Sequence, residues 1–183
     1  MGLTSVQEPS RANLEAIQLL VLDVDGVLTN GQISIDSSGG QFKQFDVQDG
    51  AGIKYWQRCG KRVAIISGRS CGSVVLRAAE LGVALLRQNQ KNKLPAYLAV
   101  LAETGMKPEQ VAVMGDDLPD VPLMRRCGLA IAPANAVVEA REAAGLITAA
   151  SGGRGAVREA IEFILRRTGQ WDNLLQRYFE ASP

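Results

Sequence analysis

Histidine is absent from this sequence of 183 residues. Its absence excludes every catalytic triad, proton relay or zinc site that depends on an imidazole ring. Any acid and base chemistry must therefore be carried out by carboxylates, lysine, tyrosine or cysteine.

Cysteine is scarce, and long hydrophobic runs are missing. The three cysteines form no C-x-x-C pair, which is typical of helical or helix-flanking residues in a reducing compartment. No stretch approaches the length of a transmembrane helix, and residues 1–13 lack the apolar region of a secretory signal. We expect a cytoplasmic protein with a flexible leader, residues 1–13, and a single domain, residues 14–183.

Neither sign of charge is in excess, since the net charge is +1 and the isoelectric point is about 7.7. A nucleic-acid binder usually carries a basic domain or stripe, so this class is disfavoured. The length suits one domain with a sizeable hydrophobic core.

Two carboxylates follow the first apolar run, Leu19-Leu20-Val21. This run predicts a strand inside a sheet, so that Asp23 and Asp25 emerge at its carboxyl end, where open α/β folds bind ligands. The single intervening residue puts both acids on one side of the extended chain, and Gly26 permits a sharp turn. Such a pair can bind Mg²⁺, and it can supply a nucleophile and a general acid for phosphoryl transfer. Capping of the next element is the alternative.

A second acidic cluster follows another apolar run, residues 111–114, and contains Asp116, Asp117 and Asp120. If both runs are strands of one parallel sheet, the two clusters meet at the same edge. Their combined charge then requires a cation. Asp120 could instead lie in the first turn of a helix and interact with the helix dipole.

A third apolar run, residues 63–66, lies between the clusters and is followed by Ser67 and Gly68. Ser67 could hold a phosphate oxygen together with backbone N–H groups, or it could cap the next helix. Lys93 precedes another helical stretch. It could supply a fixed positive charge, or it could be an ordinary surface lysine.

Apolar runs alternate with helical stretches, which predicts an α/β fold of the Rossmann-like, three-layer kind with a parallel sheet. Residues 31–36 and 41–46 instead alternate polar with apolar side chains around a turn at residues 37–40. They predict a β-hairpin that projects beside the site. No segment is long enough for a separate cap domain. Helices are predicted at about residues 50–59, 72–81, 94–103, 119–126, 137–144, 156–167 and 171–179.

The order of these motifs resembles the haloacid dehalogenase superfamily of phosphotransferases. Within it, the chain is similar to a capless branch, the 3-deoxy-D-manno-octulosonate 8-phosphate phosphatase family. The matching pieces are DxDGxLT at residues 23–29, Ser67 at a strand end, Lys93, GDDxxD at residues 115–120, and Gly-Gly-Arg-Gly-Ala-Val-Arg-Glu at residues 152–159. The chain departs from that family at Asn89, where a glycine is expected, and at residues 132–137, which lack a His-Pro pair.

The resemblance implies a Mg²⁺-dependent phosphatase that hydrolyses this eight-carbon sugar acid phosphate through an aspartyl-phosphate, in lipopolysaccharide precursor synthesis. Asp23 would be the nucleophile and Asp25 the general acid and base. The resemblance also assigns phosphate binding to Ser67, Gly68 and Lys93, substrate binding to Arg69 and Arg154, and metal binding to Asp23, the main-chain carbonyl of Asp25, Asp116 and Asp117.

The same resemblance implies a homotetramer whose hairpins pack around a central axis, so that neighbouring subunits complete each site. Arg154 would then reach the site of a neighbour, whereas Arg69 would lie near its own. The apolar hairpin residues Ile33, Ile35, Phe42 and Phe45 suit such an interface. Packing of these residues on their own domain is the alternative.

Other functions stay open at this point. A nine-carbon sugar acid phosphate also offers a carboxylate and a primary phosphate ester, so the catalytic motifs do not distinguish the two substrates. The segment at residues 152–159 favours the eight-carbon compound. A phospho-acceptor domain without turnover also uses an acidic pocket, Mg²⁺, a hydroxyl and a lysine. Such a domain has no acid two residues after its phosphorylated aspartate, whereas this chain has Asp25. A protein that had lost its enzymatic role would have lost motif residues, and none is missing.

Overall fold

The structure, a computed structural model, describes residues 9–179. Most of the predicted leader, residues 1–8, lies outside the described residues. Of the remainder, Arg11 to Asn13 belong to the first helix, α1, whose N-terminus is capped by the Ser10 side chain. The predicted leader therefore overlaps a helix at its end.

Six strands form one parallel sheet in the order β5-β4-β1-β6-β7-β8. The strands of this sheet are β1 (Leu19–Leu22), β4 (Arg62–Ile66), β5 (Leu85–Arg87), β6 (Val111–Met114), β7 (Leu129–Ala132) and β8 (Leu146–Ile147). The predicted α/β class with a parallel sheet is confirmed.

Helices cover both faces of the sheet and make the outer two of three layers. They are α1 (Arg11–Ala16), α2 (Val47–Arg58), α3 (Gly72–Leu81), α4 (Lys93–Thr104), α5 (Val121–Met124), α6 (Val138–Ala143), α7 (Ala156–Arg167) and α8 (Gln170–Phe179). Side chains alternate along β1, so Leu20 and Leu22 pack with α2, α3, α7 and α8 on one face. Leu19 and Val21 pack with α4, α5 and α6 on the other face.

The predicted helix bounds hold to within a few residues, and the differences follow from caps. Helix α2 begins earlier than predicted because the Asp46 side chain accepts hydrogen bonds from the N–H groups of Gln48 and Asp49. The stretch predicted as one helix at 119–126 is divided into a 3₁₀ turn, Leu118–Asp120, and the short helix α5.

The predicted hairpin is present as β2 (Ser34–Ile35) and β3 (Gln41–Phe42), which pair with each other and not with the main sheet. Its strands are shorter than predicted, at two residues each. Ile33, Ile35 and Phe42 are exposed, whereas Phe45 packs partly against the core. Between residues 9 and 179 no segment forms a separate cap domain.

Among the helices of residues 9–179, none combines the length and apolar character needed to cross a membrane.

Candidate active site

The first acidic pair lies on a tight turn that leaves β1. The turn is closed by Thr29, whose N–H and hydroxyl both donate to the Val24 carbonyl, at 3.0 and 3.2 Å. Gly26 has a φ of 102°, and a Cβ atom there would lie 1.9 Å from Oδ2 of Asp116. Only glycine fits this position, because the turn lies directly against the second acidic cluster.

The two acidic clusters meet because β1 and β6 are neighbours, with Leu22 beside Met114. The N–H of Asp23 donates to the Met114 carbonyl at 3.1 Å. Carboxylate oxygens of Asp23, Asp116 and Asp120 all lie within 4.8 Å of one another. The sequence argument that both clusters reach one sheet edge is therefore correct.

Lys93 lies at the start of α4, and its Nζ donates to Oδ1 of Asp23 at 2.5 Å and to Oδ1 of Asp120 at 2.6 Å. The residue is only 4% exposed, so the alternative of an ordinary surface lysine is wrong. Burial disfavours the ammonium ion, but the two carboxylates outweigh this effect and raise the pKa of Lys93.

One lysine charge does not balance this group of acids. Burial and the charge of Asp120 raise the pKa of Asp23, although Lys93 opposes the shift. Burial and the charges of Asp23 and Asp120 raise the pKa of Asp116. Its Oδ1 atom is buried and accepts no hydrogen bond within the described part of the chain. A set of carboxylate oxygens with surplus negative charge and an unpartnered oxygen fits a hard divalent cation such as Mg²⁺.

Ser67 follows β4, the other neighbour of β1. Its N–H donates to the Arg87 carbonyl at 2.9 Å, and its hydroxyl accepts from the N–H of Arg69 at 3.3 Å. A cavity of about 350 Å³ opens above these strand ends. Its lining includes the predicted residues Asp23, Asp25, Ser67, Gly68, Arg69, Lys93, Asp116 and Asp117.

Asp25 has a partner that the sequence argument did not identify. The Lys43 ammonium, from the chain just after β3, forms an ion pair with Oδ1 of Asp25. Arg69 lies on the other side, with its Nε 3.9 Å from Oδ2. The only sequence signal for Lys43 was a lone cation in a strand of alternating polar and apolar residues.

Asp120 is a second residue of the site that the sequence left undecided. It is buried, and its Oδ2 accepts from the N–H groups of Asp116 and Asp117, at 3.2 and 3.4 Å. Asp117 is exposed, and its Oδ1 accepts from the Leu118 N–H at 2.7 Å as a helix cap. The structure thus groups Asp120 with Asp23 and Asp116, while metal binding by Asp117 stays a prediction.

Arg154 is not brought to the acidic cavity of its own chain. It is exposed and lines a smaller cavity of about 140 Å³ together with Gln44 and Asp46. Its predicted role in a neighbouring subunit stays a prediction.

The two departures from the family pattern have clear structural roles. Asn89 has a φ of 59°, the left-handed conformation that a glycine adopts most easily and that asparagine tolerates. In the loop without a His-Pro pair, the Asn135 side chain accepts from the Gly152 N–H at 2.7 Å. Both substitutions are thus compatible with the local backbone.

Comparison with known proteins gives the same assignment. A sequence profile of haloacid dehalogenase-like hydrolases matches residues 84–161. The 3-deoxy-D-manno-octulosonate 8-phosphate phosphatase of Escherichia coli K12 is 44% identical over 161 residues, which cover 88% of this chain and 86% of that protein.

Solved structures agree with the sequence match. The Moraxella catarrhalis phosphatase of this name, in complex with magnesium, phosphate and the sugar acid, is 38% identical with a TM-score of 0.89, covering 92% of this chain and 97% of that one. The cobalt-bound Haemophilus influenzae enzyme is 37% identical with a TM-score of 0.83, covering 86% and 92%. The chain belongs to the 3-deoxy-D-manno-octulosonate 8-phosphate phosphatase family of haloacid dehalogenase-like hydrolases.

Proposed function

We propose that this protein is a Mg²⁺-dependent phosphatase that converts 3-deoxy-D-manno-octulosonate 8-phosphate into the free sugar acid and phosphate, in lipopolysaccharide precursor synthesis. The observation that carries the proposal is the convergence of Asp23, Asp25, Asp116 and Lys93 on one cavity at the sheet edge. Family membership supports the choice of substrate.

In the first step, a carboxylate oxygen of Asp23 attacks phosphorus and the bond between phosphorus and the ester oxygen breaks. Asp25 gives its proton to that oxygen, so the sugar acid leaves as a neutral alcohol. Lys93, already bound to Asp23, holds the nucleophile in place and offers positive charge to the phosphoryl oxygens. Ser67 and Gly68 bind the same oxygens from the neighbouring strand end.

In the second step, water attacks the phosphorus of the aspartyl-phosphate and loses a proton to Asp25. The bond from phosphorus to Asp23 breaks, which regenerates the carboxylate and releases inorganic phosphate. The same residue acts first as an acid and then as a base, so no histidine is needed.

Asp23, the main-chain carbonyl of Asp25 and Asp116 would hold Mg²⁺, with Asp117 close by. When bound, the ion neutralises charge on the phosphoryl group during transfer. Asp120 has a different task, because its carboxylate is occupied by Lys93 and by backbone N–H groups. It fixes Lys93 and the chain that carries Asp116.

Substrate recognition is proposed to involve Arg69 from the same chain and Arg154 from a neighbour, each able to bind the sugar-acid carboxylate. We further infer a homotetramer, supported by the exposed apolar hairpin residues Ile33, Ile35 and Phe42. A cytoplasmic location fits the three free cysteines, and fractionation of the producing cells would test it.

The deciding experiment measures phosphate release from the eight-carbon substrate and from a nine-carbon sugar acid phosphate, with and without Mg²⁺. We expect release that requires Mg²⁺ and favours the eight-carbon compound. Asp23→Asn removes the nucleophile and should lower turnover by several orders of magnitude.

Asp172→Asn is the matched control, since Asp172 is an exposed aspartate on α8, and it should retain full activity. Preference for the nine-carbon compound would keep the mechanism and overturn the substrate. Near-normal turnover by Asp23→Asn would overturn the covalent mechanism. Phosphorylation without release would indicate the phospho-acceptor function.

A further inference from the structure

The segment after the hairpin places a buried lysine on the proposed general acid. The Lys43 side chain is 4% exposed, and its ammonium binds Oδ1 of Asp25. A lysine that only shields a surface charge would remain in water, because burial of an ammonium ion is costly without a partner. The ion pair is therefore a fixed part of the site.

Two lysines with buried side chains contact different acids of the site. Lys93 binds Asp23 and Asp120, while Lys43 binds Asp25. Each candidate catalytic carboxylate is thereby held by its own cation. The separation suggests that Asp25 needs an orientation that Lys93 does not provide.

The second oxygen of Asp25, Oδ2, makes only a long ion pair. Oδ2 is buried and accepts no hydrogen bond from residues 9–179, and the Nε atom of Arg69, its ion-pair partner, lies 3.9 Å away. Asp25 also lines the cavity that contains Asp23. With Oδ1 bound by Lys43, Oδ2 is the oxygen available to a leaving group above Asp23.

We propose that Lys43 is a positioning residue for Asp25: it binds Oδ1 and so directs Oδ2 toward the ester oxygen that departs from phosphorus. This inference rests on the proposed phosphatase function. When Asp25 has transferred its proton to that oxygen, the adjacent ammonium also stabilises the carboxylate that remains.

The position of Lys43 connects the hairpin to the chemistry. Lys43 directly follows β3. Two positions earlier, Gln41 accepts from Nη2 of Arg69 at 3.2 Å. Gln41 in β3 and Lys43 just after it thus contact Arg69 and Asp25, so the hairpin is connected to the site.

The test compares Lys43→Met with the wild-type enzyme on two substrates, the sugar acid phosphate and p-nitrophenyl phosphate. An alkoxide needs a proton to leave, whereas p-nitrophenolate is stable enough to leave without one. We expect kcat for the sugar acid phosphate to fall roughly 10- to 100-fold. For the aryl phosphate the loss should be much smaller, and KM for the sugar acid phosphate should change little.

A double-mutant cycle with Asp25→Asn separates positioning from general damage. If Lys43 acts through Asp25, then Lys43→Met should lower kcat no further in the Asp25→Asn background. Equal losses on both substrates, or additive losses in the double variant, would overturn the proposal.

Lys61→Met is the matched control for removal of a buried lysine. Lys61 is buried, but it binds the Ile17 carbonyl at the opposite end of the sheet. It should leave the ratio of the two kcat values unchanged even if stability falls. Should the wild-type protein hydrolyse neither compound, the phosphatase function itself would be refuted, and the role of Lys43 with it.

Discussion

At the scale of single residues, Asp49 shows how a buried charge is used outside the acidic cavity. It lies on α2 and is 1% exposed. Its carboxylate accepts from the N–H groups of Arg158 and Gly155, at 2.8 and 3.3 Å. It therefore caps the N-terminus of α7 from a different helix. Burial nevertheless raises its pKa to about 6.

This shift predicts a pH-dependent contribution to stability. The ordinary pKa is 3.8 and the folded value is about 6, so the folded state binds the proton more tightly. The contribution of Asp49 is full below pH 3.8 and is lost as the pH rises through about 6. The difference between the two pKa values corresponds to about 3 kcal/mol in the free energy of unfolding. Urea unfolding between pH 4 and 7.5 measures the free energy of unfolding of the wild type and of Asp49→Asn. The value for the wild type should fall relative to that of the variant as the pH rises.

Asp36 provides the contrasting control. Its side chain accepts hydrogen bonds within the hairpin turn, from the Ser38 hydroxyl and from backbone N–H groups, and these lower its pKa. The free energy of unfolding of the wild type should therefore not fall relative to that of Asp36→Asn as the pH rises through this range. If the free energies of unfolding of wild type and Asp49→Asn changed in parallel with pH, Asp49 would not titrate as its burial implies.

Placement at the sheet edge was predictable for residues that directly follow a strand. Asp23, Asp25 and Asp116 follow apolar runs, and the ends of neighbouring parallel strands must meet. Lys43 was not predicted, because its contact depends on how an irregular segment folds back over the sheet. Asp120 was ambiguous, since the same spacing fits a helix cap.

At the scale of elements, the glycine-rich segment and the turn after β1 form one unit. The N–H of Gly153 donates to the Val27 carbonyl at 2.9 Å. A Cβ atom at Gly152 would lie 1.7 Å from the Gly26 carbonyl oxygen. The segment thus supports the backbone that carries Asp25, which explains two glycines in a stretch that also presents Arg154.

Gly152→Ala should disturb this unit. The added methyl group meets backbone atoms, which cannot move away as a side chain would, so we expect a loss of about 1–3 kcal/mol in stability. Phosphatase activity should fall as well, because the turn with Asp25 must shift. Thermal unfolding and kcat measurements on the same samples would check both effects.

Gly72→Ala is a suitable control because a Cβ atom at this position, the start of α3, meets no atom of residues 9–179 within 4 Å. It should be neutral or slightly stabilising. A Gly152→Ala variant as stable and active as Gly72→Ala would contradict the close packing described here.

The elements themselves were predictable where the periodicity was strong. The bounds of α3 and α7 match the prediction, since both helices have a clear apolar face. Helix α1 was missed because its six residues bury only Leu14. The hairpin strands are shorter than the segments of alternating polar and apolar residues that predicted them, because Phe45 turns toward the core.

At the scale of the whole molecule, the hairpin is the surface that suits assembly. Ile35 is 62% exposed and Phe42 is 51% exposed, at the tip of an element that is separate from the main sheet. Lys43, which directly follows Phe42, contacts Asp25 in the active site. Assembly through the hairpin would therefore stabilise the arrangement around Asp25.

Ile35→Lys should dissociate the proposed tetramer, because a charge placed in an apolar interface is costly. Sedimentation velocity should show tetramers for wild type and smaller species for the variant, with unchanged circular dichroism. Leu98→Lys is the control, since Leu98 is exposed on α4, away from the hairpin. A wild-type protein that sediments as a monomer would contradict the proposal.

The place of β1 in the sheet also has a consequence for protein synthesis. This strand is translated before every other strand of the sheet, yet its two partners are β4 and β6. One backbone edge of β1 can pair once residues 62–66 have emerged from the ribosome, but the other stays unpaired until residues 111–114 have emerged. Nascent chains that stop before Val111 expose an unpaired hydrophobic edge, which favours aggregation and chaperone binding. The strand that carries the proposed nucleophile, Asp23, is thus the one that waits longest for its second partner during translation.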